Sequence, residues 1–265
     1  MKEIKLEVKM PMSLLVLVLV LALVLPIVQV SAGEETTSAY GCAQRKSIFF
    51  LALGEDGAAT NNTICSIRSA CYLNPSLGVY VYGESPEMER ALKWVRERGC
   101  PSNLFYVPLD ETSILAHTPL EMLHNNTRRN LTTGPYHLNN RANALRLALL
   151  YKRGGAYLDT DMVSLRPLSH LPCEALGAQS TVFSAARNMT VATKMNTAAM
   201  VFNAKSPYLL KCMKSFVADF QPYTWAYQGP HLVSRLYFRN YESAEGVRDV
   251  LVLRKEVFYP VGVDT

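Results

Sequence analysis

Charge is scarce in this chain. Only 18% of its 265 residues are charged, divided between 27 basic and 22 acidic side chains. No Lys/Arg run exceeds two residues, so the net charge of +5 is diffuse and gives no case for nucleic acid as a partner. A glycine-rich phosphate-cradling loop is missing, and so is any Ser-His-Asp arrangement, which argues against a kinase or a hydrolase. No Cys-x-x-Cys occurs, and none of the five His stands at ligand spacing from a cysteine, so zinc is the weaker reading of the six cysteines. There is no internal repeat, and fourteen Gly and fourteen Pro are too few for a collagen-like or low-complexity chain. Only one stretch is apolar for long enough to span a bilayer, which excludes a multi-span transporter. What is present, 49% apolar residues over this length, suits a single globular domain.

The apolar stretch runs from Met12 to Val30 without a charge. As a helix it would reach roughly 28 Å, close to the hydrocarbon thickness. Lys2, Lys5 and Lys9 ahead of it favour a signal anchor with a cytoplasmic N-terminus. Val30-Ser31-Ala32 and Pro26 favour a cleaved signal peptide instead. Either reading sends the rest of the chain into the secretory pathway. Residues 1–11 are then a tail, 12–30 the anchor or signal, 31–46 a polar stalk and 47–265 the main domain. Four glycosylation acceptors, Asn61, Asn125, Asn130 and Asn188, agree with that compartment. So do the six cysteines as a disulfide set, whose pairing the sequence leaves open.

Beyond the stalk, strand and helix patterns alternate. Ser47–Leu53 and Leu77–Tyr82 read as buried strands, with a helix over Thr63–Leu73 between them. Ser85 caps a helix that has Pro86 at its first position and Gly99 past its end. Asn103–Pro108, Ala156–Asp159, Glu174–Gln179, Ala198–Asn203 and Val250–Leu253 are further strand candidates. Helices are expected at Ala142–Tyr151, Tyr208–Asp219 and Pro230–Phe238, and a loop from Asn125 to Asn140. This alternation predicts an α/β sheet with helices on both faces. Trp225, Tyr227 and His231 cluster near the last of these helices, where they read either as core or as a sugar-stacking group.

The segment Asn139–Pro167 carries the chemistry. Its helix is apolar nearly all round except for Asn143 and Arg146, which share one face. A buried Arg requires an anion. Gly154-Gly155 ends the helix, a short strand follows, and Asp159-Thr160-Asp161 closes it. On an extended chain the two carboxylates point the same way and repel unless a cation lies between them. A hard divalent ion sharing water and phosphate ligands fits such a pair.

These residues resemble a family. ALRLALLYKRGGAYLDTDMVSLRPL is similar to the core of the DXD-containing sugar transferases, above all the alpha-1,4-galactosyltransferase (lactosylceramide or globotriaosylceramide synthase) and alpha-1,4-N-acetylglucosaminyltransferase group. The likeness extends through Ile64–Ala70, Leu176–Gln179, Met195–Ala199, Gln228–Pro230 and Phe258–Pro260. It implies a GT-A-like fold with a mixed sheet, and a type II Golgi membrane protein with its domain lumenal, secreted if the N-terminal segment is cleaved. The implied reaction is retaining transfer of galactose from UDP-galactose to a glycolipid, with Mn2+ or Mg2+. UDP-N-acetylglucosamine with a glycoprotein acceptor, or a silent nucleotide-sugar-binding or lectin-like protein, are the alternatives.

By position, Asp159 and Asp161 match the catalytic metal-holding pair. Asn143, Arg146, Tyr157 and Asp159 match the donor side, and Gln179, Asn196, Gln228 and Gly229 the sugar or acceptor side. The family commonly has Ser-Asp where this chain has Ala142-Asn143, so Arg146 is expected to lack part of its counter-charge. Relatives continue beyond the point five residues after Pro260 where this sequence stops, so the domain is expected to be C-terminally incomplete.

Overall fold

The computed structural model describes residues 47–54, 59–100, 102–124, 130–184, 189–242 and 250–260. The expected tail, apolar segment and stalk lie outside the described residues, as do Asn125 and Asn188. Among the described residues no helix is long and apolar enough to cross a membrane.

The chain starts with β1 (Ser47–Ala52), α1 (Asn61–Leu73), β2 (Gly78–Gly83), α2 (Pro86–Glu97) and β3 (Leu104–Pro108). Two short helices follow, α3 (Glu111–Leu115) and α4 (Glu121–His124). Then come the long α5 (His137–Arg153) and β4 (Gly155–Leu158). The remainder is β5 (Ala175–Ser184), β6 (Met189–Phe202), α6 (Pro207–Ala218), α7 (Pro230–Glu242), β7 (Leu251–Leu253) and α8 (Lys255–Phe258). All seven strands form one sheet in the order β3-β2-β1-β4-β6-β5-β7. The half from β3 to β4 is parallel, whereas β6 runs antiparallel to both β4 and β5. The sheet is therefore mixed.

Alternation along β1 divides its side chains between two cores. Phe49 and Leu51 join α5, α6 and α7 on one face; Ile48, Phe50 and Ala52 join α1 and α2 on the other. Helices thus cover both faces. Side chains cap both helix starts, α2 as expected and α1 two residues before the expected start at Thr63. Thr60 caps α1 by accepting from the Thr63 amide at 3.2 Å, and Ser85 caps α2, with Pro86 at its start. Gly154 and Gly155, at φ +65° and +119°, turn the chain from α5 into β4. A Cβ on Gly155 would come within 2.5 Å of the Ser47 carbonyl oxygen, so only glycine lets β4 lie against β1 there.

Two expectations are corrected in extent. β5 and β6 run well past the expected strands, to Ser184 and back to Met189. Their outer parts are exposed Thr- and Val-rich ribbon, stabilised by pairing with each other, so no buried-strand pattern marks them. The expected loop to Asn140 ends early, because α5 begins at His137. Cys71 and Cys100 form a disulfide and Cys173 is also bonded, whereas Cys65 (exposed) and Cys212 (buried) are free thiols.

Candidate functional site

The parallel strands β1 and β4 are neighbours at the point where chain order along the sheet reverses, from 3-2-1 to 4. Clefts form outside the carboxyl ends of strands at such switch points. A cleft of about 400 Å³ opens here. Leu51 and Leu53 line it from the end of β1, and Thr60, Asn62 and Thr63 from the start of α1. Leu138, Asn139, Ala142 and Arg146 contribute one side of α5; Tyr157, Asp159, Thr160 and Asp161 follow from β4.

Arg146 is buried in the middle of α5, its side chain 8% exposed. It finds its anion in Asp159: Nη2 lies 3.0 Å from Oδ1 and Nη1 3.4 Å from Oδ2. Nη1 also donates to the Thr197 carbonyl at 2.7 Å, and Nε to the Ala142 carbonyl at 3.3 Å. The guanidinium stacks 4.5 Å above the Tyr157 ring, whose hydroxyl donates to Asp159 Oδ1 at 2.6 Å. Asp159 is itself placed by the sheet, its amide donating to the Ala198 carbonyl of β6 at 2.8 Å.

The electrostatics follow from this packing. Burial opposes the charge on Arg146, but Asp159, Tyr157 and Tyr259 together hold the guanidinium pKa above its ordinary value. Burial pushes the Asp159 carboxyl above the usual carboxylate range, and Asp161 adds to this, against the pull of Arg146 and the Tyr157 hydroxyl. Burial also raises the Tyr157 phenol well above its ordinary value, so the ring stays protonated as a donor.

The carboxylates reach the cleft by a different route from the one the sequence suggested. β4 ends at Leu158, and Asp159–Met162 is a turn closed by the Met162 amide donating to the Asp159 carbonyl at 3.0 Å. Asp159 and Asp161 share the cleft through that turn, not through strand alternation. A carboxylate has about four acceptor positions, and the Asp159 side chain stays 31% exposed on the cleft side. Asp161 is exposed and has no hydrogen bond or ion pair among the described residues. Hard oxygen donors of this kind suit Mg2+ or Mn2+. No three His, Cys, Asp or Glu among the described residues converge on one point. The protein would therefore give an ion two carboxylates, leaving its other positions to water and ligand oxygens, and the residues fit an ion held that way.

The remaining candidates lie outside the cleft lining. Asn143 is buried, accepts from the Thr197 hydroxyl at 3.3 Å and packs on Gly229, where a Cβ would come within 2.8 Å of its amide. It is one hydroxyl removed from Arg146, and the anion that Arg146 meets is Asp159. Asn196 folds back on its own backbone, accepting from the Thr197 and Ala198 amides at a bulge between β5 and β6. Gln179 is half-buried on β5. Gln228 is fully enclosed, its amide nitrogen donating to the Asp219 carbonyl at 2.7 Å, so in this conformation it anchors a loop. Asn61 is exposed at the start of α1, and Asn130 accepts from Thr132 and Thr133 in a local turn.

Three features of the site were not singled out from sequence. Thr197 bridges Arg146 and Asn143. The hydroxyl of Tyr259 accepts from the Ala199 amide at 3.2 Å, and burial raises this phenol's pKa. The Thr60–Thr63 helix start registers in the sequence only through the Asn61 glycosylation acceptor and the helix expected from Thr63.

Comparison with known proteins bears on this geometry. A family model described as "Glycosyltransferase sugar-binding region containing DXD motif" matches residues 60–183, and one described as "Alpha 1,4-glycosyltransferase conserved region" matches residues 201–265. Lactosylceramide 4-alpha-galactosyltransferase of Mus musculus is 30% identical over 224 residues, covering 81% of this chain and 58% of that protein. Its counterpart from Pongo pygmaeus is 30% identical over 164 residues, covering 60% of this chain and 69% of that protein. Alpha-1,4-N-acetylglucosaminyltransferase of Homo sapiens is 26% identical over 235 residues, covering 83% of this chain and 64% of that protein. The chain thus spans 58% of the length of the mouse relative. Among solved structures, PaToxG glycosyltransferase superposes with a TM-score of 0.54 at 18% identity, covering 74% of this chain and 69% of that one, a likeness of fold.

Proposed function

The chain belongs to the family of DXD-containing alpha-1,4-glycosyltransferases, and from that premise we propose that it moves galactose from UDP-galactose to a lactosylceramide-like glycolipid, in alpha-1,4 linkage with retention. The observation that carries the reading is the buried Arg146–Asp159 pair standing beside Asp161 in the switch-point cleft.

Asp159 and Asp161 are the residues that would hold Mn2+ or Mg2+. Such an ion supplies neutralisation of the charge that builds on a departing diphosphate. Arg146 and the Tyr157 hydroxyl fix the orientation of Asp159, so its remaining lone pairs face the cleft before any ligand arrives. The Thr60–Thr63 helix start offers hydroxyl groups to the same space. Leu51, Leu53 and Leu138 give the cleft an apolar wall that excludes water from one side of a bound donor.

Isothermal titration of UDP with and without Mn2+ tests this. Asp161→Asn is expected to abolish metal-dependent UDP binding while leaving the melting temperature unchanged, because Asp161 is exposed and has no polar partner among the described residues. Unchanged metal-dependent binding in the variant would overturn the assignment. Two other readings each have support. Similarity to the human N-acetylglucosaminyltransferase favours UDP-N-acetylglucosamine as donor with a glycoprotein acceptor, and competition between the two UDP-sugars separates the cases. The amide at Asn143 favours a catalytically silent nucleotide-sugar binder, which would bind UDP-galactose without turnover. We further propose that residues 12–30 make the protein a single-pass type II Golgi enzyme with a lumenal domain. Loss of mass on N-glycosidase treatment is the expected result, and no mobility shift would count against it.

A further inference from the structure

The segment from Asp219 to Gly229 is held firmly and yet presents large aromatic rings to solvent. Gln228 is entirely buried and donates to the Asp219 carbonyl at 2.7 Å. The Tyr227 hydroxyl donates to the Asp219 carboxylate, and the Arg235 guanidinium covers the Tyr227 ring at 4.0 Å. Ala226 is held at φ +58°, a conformation that costs a non-glycine residue free energy. Gly134 packs so closely on Pro222 that a Cβ would lie 2.5 Å from the Pro222 carbonyl oxygen.

From this frame Tyr223 and Trp225 project outward, 71% and 58% exposed. The Trp225 ring meets Tyr136 edge-on, with centroids 5.3 Å apart at 64°. Tyr136 immediately precedes α5, whose first turn contributes Leu138 and Asn139 to the cleft lining. Ten residues along that helix is Arg146, so Tyr136 stands roughly 15 Å from the Arg146 level. That is about the span of a sugar or two beyond the carboxylates. Strain and hydrogen bonds spent on exposing aromatic rings beside a cleft are what an uncharged, flat-faced ligand requires.

We propose that Trp225, Tyr136 and Tyr223 form a stacking platform for the acceptor glycan, receiving the apolar face of a hexose away from the bond being made. This rests on the reading of the protein as a transferase acting on a lactosylceramide-like acceptor, and it assigns acceptor recognition to residues different from those that would hold the donor. The phosphate-facing groups lie at the Asp159–Asp161 end of the cleft. Tyr227, taken up by Asp219 and Arg235, supports the platform and is not part of it.

The chain contains two tryptophans, Trp94 on α2 and Trp225, so indole N–H signals report the platform directly. Titrate methyl β-lactoside into indole-15N-labelled protein and follow both signals. The Trp225 signal is expected to move saturably and the Trp94 signal to stay. Trp225→Ala should weaken lactoside binding about tenfold, the worth of one aromatic stacking contact, and Trp225→Phe should retain most of it. Metal-dependent UDP affinity and melting temperature should be unchanged in both. No movement of the Trp225 signal overturns the proposal, and so does a parallel loss of UDP affinity, which would make the platform a nucleobase contact. If the unsubstituted protein binds lactoside through Trp225 but never binds UDP, the platform stands and the transferase reading fails.

Discussion

The Arg146–Asp159 pair makes an asymmetric prediction about stability. The two partners differ in access to water: the Arg146 side chain is 8% exposed and that of Asp159 is 31% exposed. Asp159→Asn keeps the shape but removes the negative charge, leaving a buried guanidinium with only neutral acceptors, the Thr197 and Ala142 carbonyls. Breaking a buried pair from this side costs about 3–5 kcal/mol. Arg146→Met puts apolar volume where the guanidinium stem lay and leaves Asp159 able to take water from the cleft, so screening cuts the cost to about 1–3 kcal/mol. For a domain of this size one kcal/mol moves the melting temperature by about 2–4 °C. Thermal unfolding followed by circular dichroism, with EDTA present, should therefore show Asp159→Asn as the more damaging change, lower by roughly 6–20 °C. The double variant should be less damaged than the sum of the singles, because it removes charge from both sides. Additive shifts, or a neutral effect of Asp159→Asn, would show that Arg146 does not depend on this carboxylate, and the account of the site would fall with it.

Three further outcomes are expected. Gly177 lies so close to α8 that a Cβ would sit 2.7 Å from the Phe258 ring and 2.8 Å from Tyr259; Gly177→Ala should undock that segment, weaken the Tyr259–Ala199 contact, and lower stability by about 1–3 kcal/mol in urea unfolding. Burial pushes the Cys212 thiol up from 9.0 to about 12. The unfolded chain then loses this proton first, so stability should fall as pH rises from 9 towards 12, and Cys212→Ala should flatten that slope. A disulfide-exchange reagent at pH 8 should titrate one thiol in the native protein, Cys65, and a second only on unfolding; two fast thiols would contradict the burial of Cys212.

Most of the framework was legible in the residues because short-range physics fixes it. The apolar runs of β1 to β4, the cap at Ser85, and the apolar stretch Ala142–Tyr151 within α5 are local patterns. The structure keeps each within a few residues of its expected place. Gly154-Gly155 announced a turn that only glycine can make, and the Asp159–Asp161 pair stood out because two carboxylates and a buried Arg shared one short segment. What chain order cannot express is which partner completes each charge and where exposed rings come together. That Arg146 pairs with Asp159, thirteen positions on, follows from β4 lying beside β6 and from α5 crossing above them. Thr197 and Tyr259 enter the site from β6 and from the far end of the chain, through contacts that no local pattern encodes. Gln228 looked like a ligand residue in sequence, yet tertiary packing encloses it and gives it a buried carbonyl to satisfy. Propensity and charge belong to the residues themselves, so the elements and the side chains able to do chemistry can be read along the chain. Which of those side chains face one cleft depends on how strands and helices far apart in the chain pack, and no local pattern carries that information.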